Sequence, residues 1–477
     1  MAIENYKIYS GGHFITTNNP FEVINSFDNS VVGTCYLASE ADLEIAIQRG
    51  LSVQQQLKNM PSYQKSRILS EIATLLGIDK KQIALVLAAE ACKPIKWALA
   101  EIDRSIQTFK IAAEEAGRIQ GEYITVDRTS AGEGKEGFLT RFPIGLVAGI
   151  SPFNFPLNLA VHKIAPAIAA GCPIILKPAT ATPLTTLLLA AIIDKTELPK
   201  GALSILPMNR ENGNKLVTDE RFKLLTFTGS PEVGWKMKSD AGKKPVVLEL
   251  GGNAAAVITP SANLEKAVKR CAMGAFAYSG QVCIHTQRIF VHQDSFQHFV
   301  DKFIAETKTL RFGNPLDVET DFSSLINESN AIRVECWVNE AIFQGAKLLY
   351  GGKRLGSFFE PTILTNTHRA MKVNGQEVFG PVVVIESYKN FEEVIEEVNN
   401  TNFGLQAGIF TNLISEMNKA YSEIDCAGII INDAPIFRTD HTPYGGIKDS
   451  GIGREGVKYT ILDMTEPKLL IKNKFDF

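Results

Sequence analysis

The pattern of hydrophobic and polar positions along the chain changes near residue 143. Before it, apolar residues recur every three or four positions over 62–77, which predicts a helix with one buried face. The sequence Ser39-Glu40-Ala41-Asp42 is typical of a helix-capping box, so another helix should follow it. After residue 143, short apolar runs alternate with helical segments, at 145–150, 172–176, 224–228 and 245–250. That alternation predicts parallel strands joined by crossover helices, and so an α/β domain.

A second alternating series covers roughly residues 253–432 and predicts a second α/β domain. Its apolar runs are Ala254–Ile258, Gln287–Val291, Val382–Ile385 and Gly428–Ile431. The segment 123–142, with alternating polar and apolar residues, and the tail 466–473 are instead typical of strands that belong to neither series. We therefore expect two α/β domains and a few additional strands.

Length and composition fit a globular protein of more than one domain. The chain has 477 residues, 45% of them hydrophobic and 21% charged. Its 49 basic and 52 acidic side chains give a net charge of −3, which disfavours a nucleic-acid partner. The most apolar region, Leu157–Leu176, contains His162, Lys163 and two prolines, which are unfavourable in lipid. We expect a buried helix followed by a strand there, and no membrane partner.

The cysteines and the N-terminus bear on the compartment. Seven cysteines, an odd number, are scattered along the chain without a Cys-x-x-Cys pair. This pattern predicts neither a disulfide framework nor a metal site, and it fits a reducing compartment. The first residues lack the basic and apolar regions of a secretory signal. We therefore expect a cytoplasmic protein without a bound metal.

The candidate chemistry centres on Cys283. A cysteine is a nucleophile only as thiolate, and its ordinary pKa of about 8.5 leaves it mostly protonated at neutral pH, so it needs a base or a positive potential nearby. Glu249 is a candidate for that base, and the amide of Asn154 could donate a hydrogen bond to an oxygen that gains negative charge. Together the three groups indicate acyl-type chemistry at a carbonyl. The simpler interpretation is that Cys283 is a small buried hydrophobe and Glu249 a surface carboxylate.

Seven motifs follow one another in a specific order. They are Pro152-Phe153-Asn154, Lys177-Pro178, Phe227-Thr228-Gly229-Ser230, Glu249-Leu250-Gly251-Gly252, Gly280-Gln281-Val282-Cys283, Glu377-Val378-Phe379-Gly380-Pro381 and Pro443-Tyr444-Gly445-Gly446-Ile447-Lys448. With this order, and with 34 positions separating Glu249 from Cys283, the chain resembles the aldehyde dehydrogenase superfamily over nearly its whole length.

The resemblance implies an α/β, aldehyde dehydrogenase-like fold in three parts. A doubly wound parallel-sheet NAD(P)-binding domain would comprise residues 1–122 and 143–251. A second α/β domain, the catalytic one, would comprise 252–465, and a small β oligomerisation arm would comprise 123–142 and 466–477. Relatives with such an arm assemble, so we expect a homodimer or a homotetramer.

The resemblance also implies a reaction. Cys283 would attack the aldehyde carbon, the Asn154 amide and the N–H of Cys283 would hold the resulting oxyanion, and a nicotinamide cofactor would accept the hydride. Glu249 would then deprotonate the water that hydrolyses the thioester. Relatives that pass the acyl group to coenzyme A lack this acid, so Glu249 favours a free carboxylate as the product. In this context we prefer the catalytic interpretation of both residues.

The expected cofactor site lacks the Gly-x-Gly-x-x-Gly pattern, and the sequence from Gly229 to Gly234 instead follows an apolar run. Such a strand-turn-helix could bind a pyrophosphate at the helix N-terminus, although by itself it occurs in many folds. The residues that the resemblance places around the cofactor are Ser151, Phe153, Lys177, Thr180, Gly229, Ser230, Leu250, Glu377 and Phe379. NAD-preferring members often carry a glutamate where this chain has Thr180. A neutral hydroxyl beside Lys177 does not repel a 2′-phosphate, so we expect NADP or NAD, with a leaning toward NADP.

On the substrate side, the stretches 154–163 and 437–444 resemble the branch that acts on lactaldehyde, succinic semialdehyde and phosphonoacetaldehyde. The residues that the resemblance places around the substrate are Arg104, Phe155, His162, Phe437, Arg438 and His441. An arginine can bind a carboxylate with two hydrogen bonds, so we expect a small-molecule aldehyde that carries a distal anion. Equally, Arg104 and Arg438 could form internal ion pairs, and His162 could be a packed core residue.

Two other classes of function compete with this interpretation. A thiol esterase could use Cys283 and Glu249 without redox chemistry, but it would not need the elements at Lys177, Ser230 and Glu377. A catalytically silent binding protein on the same fold would have no need of the thiol, the acid and the amide. Reduction of NADP or NAD in the presence of a small aldehyde distinguishes the three classes.

Overall fold

The structure is a computed structural model that describes residues 4–474; the ends of the expected first domain and of the expected arm, 1–3 and 475–477, lie outside the described residues. The α-helices, in chain order, are α1 (Glu40–Asn59), α2 (Ser62–Ile78), α3 (Lys80–Glu90), α4 (Ile95–Ala116), α5 (Asn158–Ala170), α6 (Leu184–Ile193), α7 (Arg210–Thr218), α8 (Pro231–Asp240), α9 (Leu264–Phe276), α10 (Phe296–Thr307), α11 (Glu328–Phe343), α12 (Lys372–Gly375), α13 (Phe391–Asn399), α14 (Ile414–Glu423) and α15 (Val457–Asp463). Short 3₁₀ helices are Ser130–Gly132, Ala277–Gly280 and Gln293–Ser295.

The strands, in chain order, are β1 (Glu4–Tyr6), β2 (Ile8–Ser10), β3 (His13–Ile15), β4 (Pro20–Ile24), β5 (Val31–Tyr36), β6 (Glu122–Ile124), β7 (Lys135–Pro143), β8 (Val147–Ile150), β9 (Ile174–Lys177), β10 (Leu203–Ile205), β11 (Leu224–Thr228), β12 (Val246–Glu249), β13 (Ala255–Ile258), β14 (Arg288–His292), β15 (Lys347–Tyr350), β16 (Arg354–Leu355), β17 (Phe358–Phe359), β18 (Thr362–Thr365), β19 (Val382–Tyr388), β20 (Phe403–Gly404), β21 (Gln406–Phe410), β22 (Gly428–Ile431), β23 (Ile447–Lys448), β24 (Gly451–Ile452) and β25 (Thr465–Asn473).

Helices α1 and α2 form where the sequence predicts them. The Oγ of Ser39 accepts the N–H of Asp42 at 3.2 Å, and the N–H of Ser39 donates to the Asp42 carboxylate at 2.8 Å, so the capping box is confirmed. Helix α2 buries its apolar face, including Ile68 and Ile72. Among the helices between residues 4 and 474, none has both the length and the apolar character of a membrane span.

The first large sheet has eight strands in the order β24-β12-β11-β8-β9-β10-β2-β3. Strands β12, β11, β8, β9 and β10 are parallel, and they include all four apolar runs predicted between 145 and 250. The chain runs outward from β8 through β9 to β10 and then returns to place β11 on the other side of β8. The sheet is therefore doubly wound, as expected, and its ligand crevice lies at the carboxyl ends of β8 and β11.

Two hydrophobic cores cover the two faces of this sheet. Ile174 and Leu176 of β9 pack with α2, α4, α5 and α6, whereas Ile175 between them packs with α1 and α7. The alternation follows from the geometry of a strand, in which successive side chains point to opposite faces. Because both faces are covered, the strands are apolar throughout, which is why they were visible in the sequence.

The second large sheet has seven strands in the order β15-β18-β19-β14-β13-β21-β22. Apart from the edge strand β15, its strands are parallel. The four apolar runs of the second series correspond to β13, β14, β19 and β22, so the second α/β unit is confirmed. Helices α9 and α10 cover one face with a cluster of phenylalanines, and α13 and α14 cover the other.

The strands predicted at 123–142 and 466–473 pair with each other. Strand β25 is antiparallel to β7 over the full length of both, and β6 pairs with the other side of β7. In this three-stranded sheet β25 is an edge strand. Its Leu469, Leu470 and Ile471 are 53%, 53% and 43% exposed.

One segment of the expected catalytic unit, 252–465, packs with the first sheet instead of the second. Strand β24 extends the eight-stranded sheet by pairing with β12, and α15 packs against α4 and α5. Val457 and Ile461 of α15 are buried in the same core as those helices. Sequence periodicity does not reveal this return, because a two-residue strand and a two-turn helix contain too few positions to show a period.

Candidate active site

Four parallel strands of the first sheet end at one cleft, and each delivers a residue that the sequence singled out. Ser151 follows β8, Lys177 ends β9, Gly229 follows β11 and Glu249 ends β12. Parallel strands share one carboxyl edge, so residues far apart in the sequence meet there. A loop of the second unit brings Cys283 to the same cleft, where Cys283 and Glu249 line one open cavity with about 550 Å³ of empty space, including the part that is continuous with solvent.

The loop that carries Cys283 has a strained backbone. Tyr278, Ser279 and Gly280 all have positive φ, at 47°, 54° and 69°. A Cβ at position 280 would lie 2.2 Å from the carbonyl oxygen of Gly380, so only glycine fits there. Gly280 therefore lets the backbone turn at this point. The turn places Cys283 in the wall of the cavity.

The thiol of Cys283 is not activated by a neighbouring carboxylate in this geometry. Burial raises the pKa of Cys283 to about 11, whereas the hydrogen bond with Tyr444 and the charge of Arg438 act in the opposite direction. The negative charge of Glu249 raises that pKa further. The Tyr444 hydroxyl lies 3.1 Å from the sulfur, so a phenol is its hydrogen-bond partner.

Asn154 connects the two loops that form the reactive part of the cavity. Its side chain is buried, and its Nδ2 donates to the carbonyl oxygen of Gln281 at 2.9 Å, two residues before Cys283. An amide nitrogen has two hydrogens, so one donor is left. Among residues 4–474, the N–H of Cys283 also has no hydrogen-bond acceptor. Two N–H donors are thus available on loops that are fixed to each other.

Glu249 is a buried carboxyl group with its oxygens free. It is 3% exposed, and neither oxygen is hydrogen-bonded to the described part of the chain. Burial raises the pKa of Glu249 well above its usual range, and the negative charge of Glu455 adds to the effect. A carboxyl group whose pKa is shifted toward neutrality suits proton transfer at physiological pH.

The cleft beside β8, β9 and β11 has the features of a dinucleotide site. Lys177 is half-buried and forms no ion pair within residues 4–474, and burial lowers its pKa. The Oγ of Ser151 is buried without a partner in the same part of the chain. Ser230 caps α8 with Pro231 at its first turn, so the free N–H groups that follow can hold an anion. A cation, a hydroxyl group and a helix N-terminus are the groups that can bind the ribose and the pyrophosphate of NAD(P).

The Glu377 carboxylate lies against the glycine pair that follows Glu249 and Leu250. The N–H of Gly252 donates to it at 3.0 Å, and a Cβ at Gly251 would lie 2.1 Å from its Oε2. Burial raises the pKa of Glu377 to about 7. Gly251 is therefore required by the close approach of a carboxylate that stands 126 positions later in the chain, whereas a Cβ at Gly252 would lie 2.9 Å from the carbonyl oxygen of Cys283.

The other residues expected around the cofactor lie along the same cleft. Phe153 and Phe379 are in edge-to-face contact, with ring centroids 5.8 Å apart. Leu250 is buried against Gly234 of α8, where a Cβ would lie 2.4 Å from the leucine side chain. Thr180 is exposed in the turn after β9.

Arg104 and Arg438 line the cavity together with Cys283. Arg104 donates from Nη2 and Nε to the Asp440 carboxylate, at 2.6 Å and 3.3 Å, and Arg438 donates to Glu455 at 3.0 Å. The internal ion pairs considered from the sequence are therefore present. They leave donors unused, since the buried Nε of Arg438 and the Nη1 of Arg104 have no partner within residues 4–474.

Glu455 is the buried anion behind the cavity wall. It accepts hydrogen bonds from Lys163 and Arg438, both at 3.0 Å. Burial opposes its ionisation, but the charges of Lys163 and Arg438 and the hydrogen bond from Lys163 outweigh burial and lower the pKa of Glu455 to about 2. Of the two neighbouring carboxyl groups, Glu455 therefore keeps the charge and Glu249 keeps the proton.

His162 belongs to this network and does not line the cavity. It is fully buried, its Nε2 lies 2.8 Å from Asp440, and burial together with the charge of Arg438 lowers its pKa. Burial tends to raise the pKa of Asp440, but the hydrogen bond with His162 and the charge of Arg104 outweigh burial and lower that pKa. With His162 neutral, the network has three cations, Lys163 included, against two ionised carboxylates. One positive charge is left over at the cavity.

Two residues expected at the substrate do not reach it. Phe437 is 48% exposed and His441 is exposed, and neither lines the cavity. Ile436 and Arg438 line it instead. Pro435 and Ile436 form a turn in which the N–H of Phe437 donates to the carbonyl oxygen of Ala434 at 3.4 Å, and the turn brings Ile436 but not Phe437 to the cavity wall.

Sequence reasoning missed part of the cavity wall. The residues not anticipated there are Asn158, Leu159, Thr228, Val282, Ile284, Ile436 and Tyr444. Several of them could have been predicted from the sequence, because Thr228 and Tyr444 lie inside the ordered motifs and Val282 and Ile284 flank Cys283. By contrast, no local signal marks Leu159, which is one apolar residue in a helix that is buried on all sides.

The cysteine thiols are free, and Cys283 is among them. Cys35, Cys92, Cys172 and Cys271 are buried, as is usual for cysteines that pack as small hydrophobes. Cys426 is half-buried and Cys336 is exposed. In the described part of the chain, no group of three or more histidine, cysteine, aspartate or glutamate side chains could hold a metal ion.

Known proteins share this sequence and architecture. The profile of the Aldehyde dehydrogenase family matches residues 14–470. The 3-sulfolactaldehyde dehydrogenase of Priestia megaterium is 42% identical, over 99% of this chain and 98% of its own. Aldehyde dehydrogenase 21 from Physcomitrella patens, in complex with the reaction product succinate, has a TM-score of 0.98 and 42% identity, with 100% of both chains covered. Glyceraldehyde-3-phosphate dehydrogenase from Methanocaldococcus jannaschii, complexed with NADP, has a TM-score of 0.92 and 39% identity, with 96% of this chain and 100% of that chain covered.

Proposed function

We propose, since this chain belongs to the aldehyde dehydrogenase family, that it oxidises a small aldehyde with a distal anionic group to the carboxylate, with NAD(P)+ as the oxidant. The family match confirms the resemblance predicted from the seven ordered motifs. The observation that carries the proposal is a shared cavity, in which Cys283 and Glu249 face Arg104 and Arg438.

In the proposed reaction, the thiolate of Cys283 attacks the aldehyde carbon. The new C–S bond moves the carbonyl π electrons onto oxygen, and the second Nδ2 hydrogen of Asn154 and the N–H of Cys283 donate to that oxyanion. The chemistry that bound NAD(P)+ supplies is acceptance of the hydride from this carbon, which leaves a thioester on Cys283. Loss of one oxyanion donor typically lowers the rate by about 10²–10³.

Glu249 is the proposed base for release of the product. Its carboxylate takes a proton from water as the water oxygen attacks the thioester carbon, and the C–S bond breaks to give the carboxylic acid product and the free Cys283 sulfur. The absence of hydrogen bonds to the Glu249 oxygens within residues 4–474 supports this role, because a carboxylate engaged elsewhere would be a weaker base. A free acid, which ionises to the carboxylate, is therefore the proposed product.

The proposed cofactor is NAD(P), with a preference for NADP. Lys177 forms no ion pair with any residue from 4 to 474, and exposed Thr180 adds no negative charge in the same turn, so a 2′-phosphate would meet one cation without repulsion. The relative from M. jannaschii is complexed with NADP, which supports this choice. The residues proposed to hold the rest of the cofactor are Ser151, Phe153, Gly229, Ser230, Leu250, Glu377 and Phe379.

The proposed substrate anion binds between Arg104 and Arg438. Both arginines line the cavity and keep unused donors, and the network behind them has one positive charge in excess. The compounds in the names of the three relatives carry a sulfonate, a second carboxylate and a phosphate. This chemistry favours a short aldehyde with an acidic group at its far end.

Assembly with further copies of the chain is also part of the proposal. Strand β25 is an edge strand whose consecutive residues Leu469, Leu470 and Ile471 are about half exposed on both of its faces. An apolar edge of this kind is stabilised by pairing with another chain. We propose a homo-oligomer in a reducing compartment such as the cytoplasm, and the free cysteines support that compartment.

The test compares succinic semialdehyde with butanal, which has the same number of carbons and no acid group. Purified protein should reduce NADP+ with both aldehydes, and kcat/KM should be higher for succinic semialdehyde. Cys283→Ser should lose at least about a thousandfold of either activity while it keeps the fold. A Cys283→Ser protein as active as the parent would refute the mechanism. Equal kcat/KM values for butanal and succinic semialdehyde would refute the proposed substrate class.

A further inference from the structure

The hydroxyl of Tyr444 lies 3.1 Å from the sulfur of Cys283, and within residues 4–474 it has no other hydrogen-bond partner. The Tyr444 side chain lines the cavity, and the residue is only 7% exposed. The Arg438 guanidinium stacks on its ring, 3.7 Å from the centroid, while it also pairs with Glu455. The stacked Arg438 guanidinium thus fixes the Tyr444 ring with its hydroxyl in hydrogen-bond distance of the sulfur.

Packing alone does not account for this hydroxyl. A phenylalanine would fill the same space and would not bury a polar group. A neutral thiol is a weak acceptor, so the hydroxyl is poorly satisfied as long as Cys283 is protonated. It becomes well satisfied once the sulfur is an anion, because hydrogen bonds to charged groups are the stronger ones.

The direction of the hydrogen bond follows from the ionisation state. A thiolate has no hydrogen, so in the reactive state only the phenol can donate. The charged and titratable groups around the sulfur are Arg438 beside Tyr444, Glu249 at the end of β12 and Glu377 across the cleft. When they are ionised, both carboxyl groups raise the pKa of Cys283 and so disfavour the thiolate. Stabilisation of the thiolate must therefore come from Tyr444 and Arg438, which lower that pKa.

We infer that Tyr444 is a further catalytic residue, which donates its O–H to the Cys283 thiolate before attack, and that Arg438 positions its ring. The inference rests on the proposed role of Cys283 as nucleophile. The thiol proton leaves to solvent water through the open cavity, and Tyr444 keeps its own proton throughout. When the sulfur lone pair forms the C–S bond, the sulfur loses its negative charge. The hydrogen bond from Tyr444 weakens at that point, so it acts on the thiolate before attack and not on the product of the attack.

The stacked arginine adds to the donor strength. A cation over an aromatic face withdraws electron density from the ring, so the phenol becomes a better hydrogen-bond donor. Arg438 is therefore shared between two tasks, the orientation of Tyr444 and the proposed contact with the substrate anion. Arg438 therefore connects the part of the cavity proposed to bind the substrate anion with Tyr444 and, through Tyr444, with Cys283.

The experiment measures the rate of Cys283 alkylation by iodoacetamide as a function of pH, in the absence of substrate and cofactor. Alkylation at this residue is quantified by mass spectrometry of its peptide, because exposed Cys336 also reacts. In Tyr444→Phe the apparent pKa should rise by about one pH unit, a tenfold loss of thiolate at neutral pH that is equivalent to about 1.4 kcal/mol. The kcat/KM should fall by a similar factor at pH 7 and recover as the pH rises.

Tyr388→Phe is the matched control, because it removes another buried phenol hydroxyl, one that donates to the carbonyl of Ile258 at 3.2 Å in the second sheet. Its alkylation profile should match the parent. An unchanged profile in Tyr444→Phe, or an equal shift in Tyr388→Phe, would overturn the inference. If Cys283→Ser retains activity, the proposed nucleophile fails, whereas an inactive Cys283→Ser with an unchanged Tyr444→Phe profile removes only the role of Tyr444.

Discussion

Lys93 and Glu101 form an ion pair, 2.5 Å between nitrogen and oxygen, with no exposed surface on either side chain. Lys93 also donates to the backbone carbonyl of Asn154 at 2.5 Å, while the Glu101 carboxylate accepts the N–H groups of Leu157 and Asn158 at 2.9 and 3.1 Å. The pair therefore holds both Asn154 itself and the end of its loop, where α5 begins.

Breaking this pair should destabilise the protein strongly. Glu101→Gln leaves the charge of Lys93 buried without a counterion, which is expected to lower the free energy of unfolding by about 3–5 kcal/mol. Denaturant unfolding measures this difference. Asp103→Asn on the same helix removes a carboxylate from the solvent-accessible pair with Lys80 and should cost less than about 1 kcal/mol. Equal losses in the two variants would contradict the structural role of Glu101.

Arg104→Gln should change substrate preference more than turnover. Removal of the guanidinium takes away one of the two cations proposed to bind the substrate anion. The KM for succinic semialdehyde is expected to rise about tenfold, whereas the KM for butanal should change little. Arg118→Gln, which removes a surface arginine just past the same helix, is the control and should leave both values unchanged. A parallel rise for both aldehydes would argue against an anion site.

Thr180→Glu should move the cofactor preference toward NAD. A carboxylate in the turn after β9 would repel a 2′-phosphate and would be free to bind ribose hydroxyls. We expect the NADP/NAD ratio of kcat/KM to fall by at least about tenfold. Thr309→Glu introduces the same charge at an exposed position of the second unit and serves as the control. An unchanged ratio in Thr180→Glu would refute the assignment of this position.

The pH dependence of product release should follow Glu249. Its pKa is raised by burial and by Glu455, so the group is still protonated, and inactive as a base, at pH values where ordinary carboxyl groups are ionised. Hydrolysis of the thioester should therefore speed up as the pH rises past that ordinary range. Glu249→Gln should release about one equivalent of reduced cofactor per subunit in a burst, followed by turnover slowed by about 10²–10⁴. Stopped-flow absorbance at several pH values measures both, and a steady state like that of the parent would exclude Glu249 as the base.

Leu470→Lys should weaken assembly. It places a charge in the middle of the exposed apolar edge of β25, where a paired chain would have to bury it. Light scattering coupled to size-exclusion chromatography should show a smaller species than the parent. Leu355→Lys changes a leucine that is 79% exposed elsewhere and should keep the parental mass. If both variants keep that mass, the arm is not the interface.

Strongly patterned elements could be read from the sequence with good accuracy. The central parallel strands are buried on both faces, so they are apolar throughout, and the helices before residue 143 show a regular apolar face. The family motifs likewise indicated Cys283, Glu249 and Asn154 as the reactive groups now proposed, because those residues are locally surrounded by glycines, prolines and amides that few other sequences combine. The return of β24 and α15 to the first sheet left no such pattern, since both elements are too short to show one.

Local patterns in the amino-acid sequence were enough to predict the two α/β units, the arm strands and the proposed reactive groups, because each of these depends on local periodicity or on a compact motif. Which charged groups neutralise each other became clear only from the packing of the folded chain. Arg104 meets Asp440 across 336 positions, and Lys163 meets Glu455 across 292. The packing also brings Ile436 and not Phe437 to the cavity, and Tyr444 to the thiol. These outcomes depend on the way distant segments pack, and the pKa of a buried group depends on its neighbours in space, so neither is encoded within any one stretch of the chain.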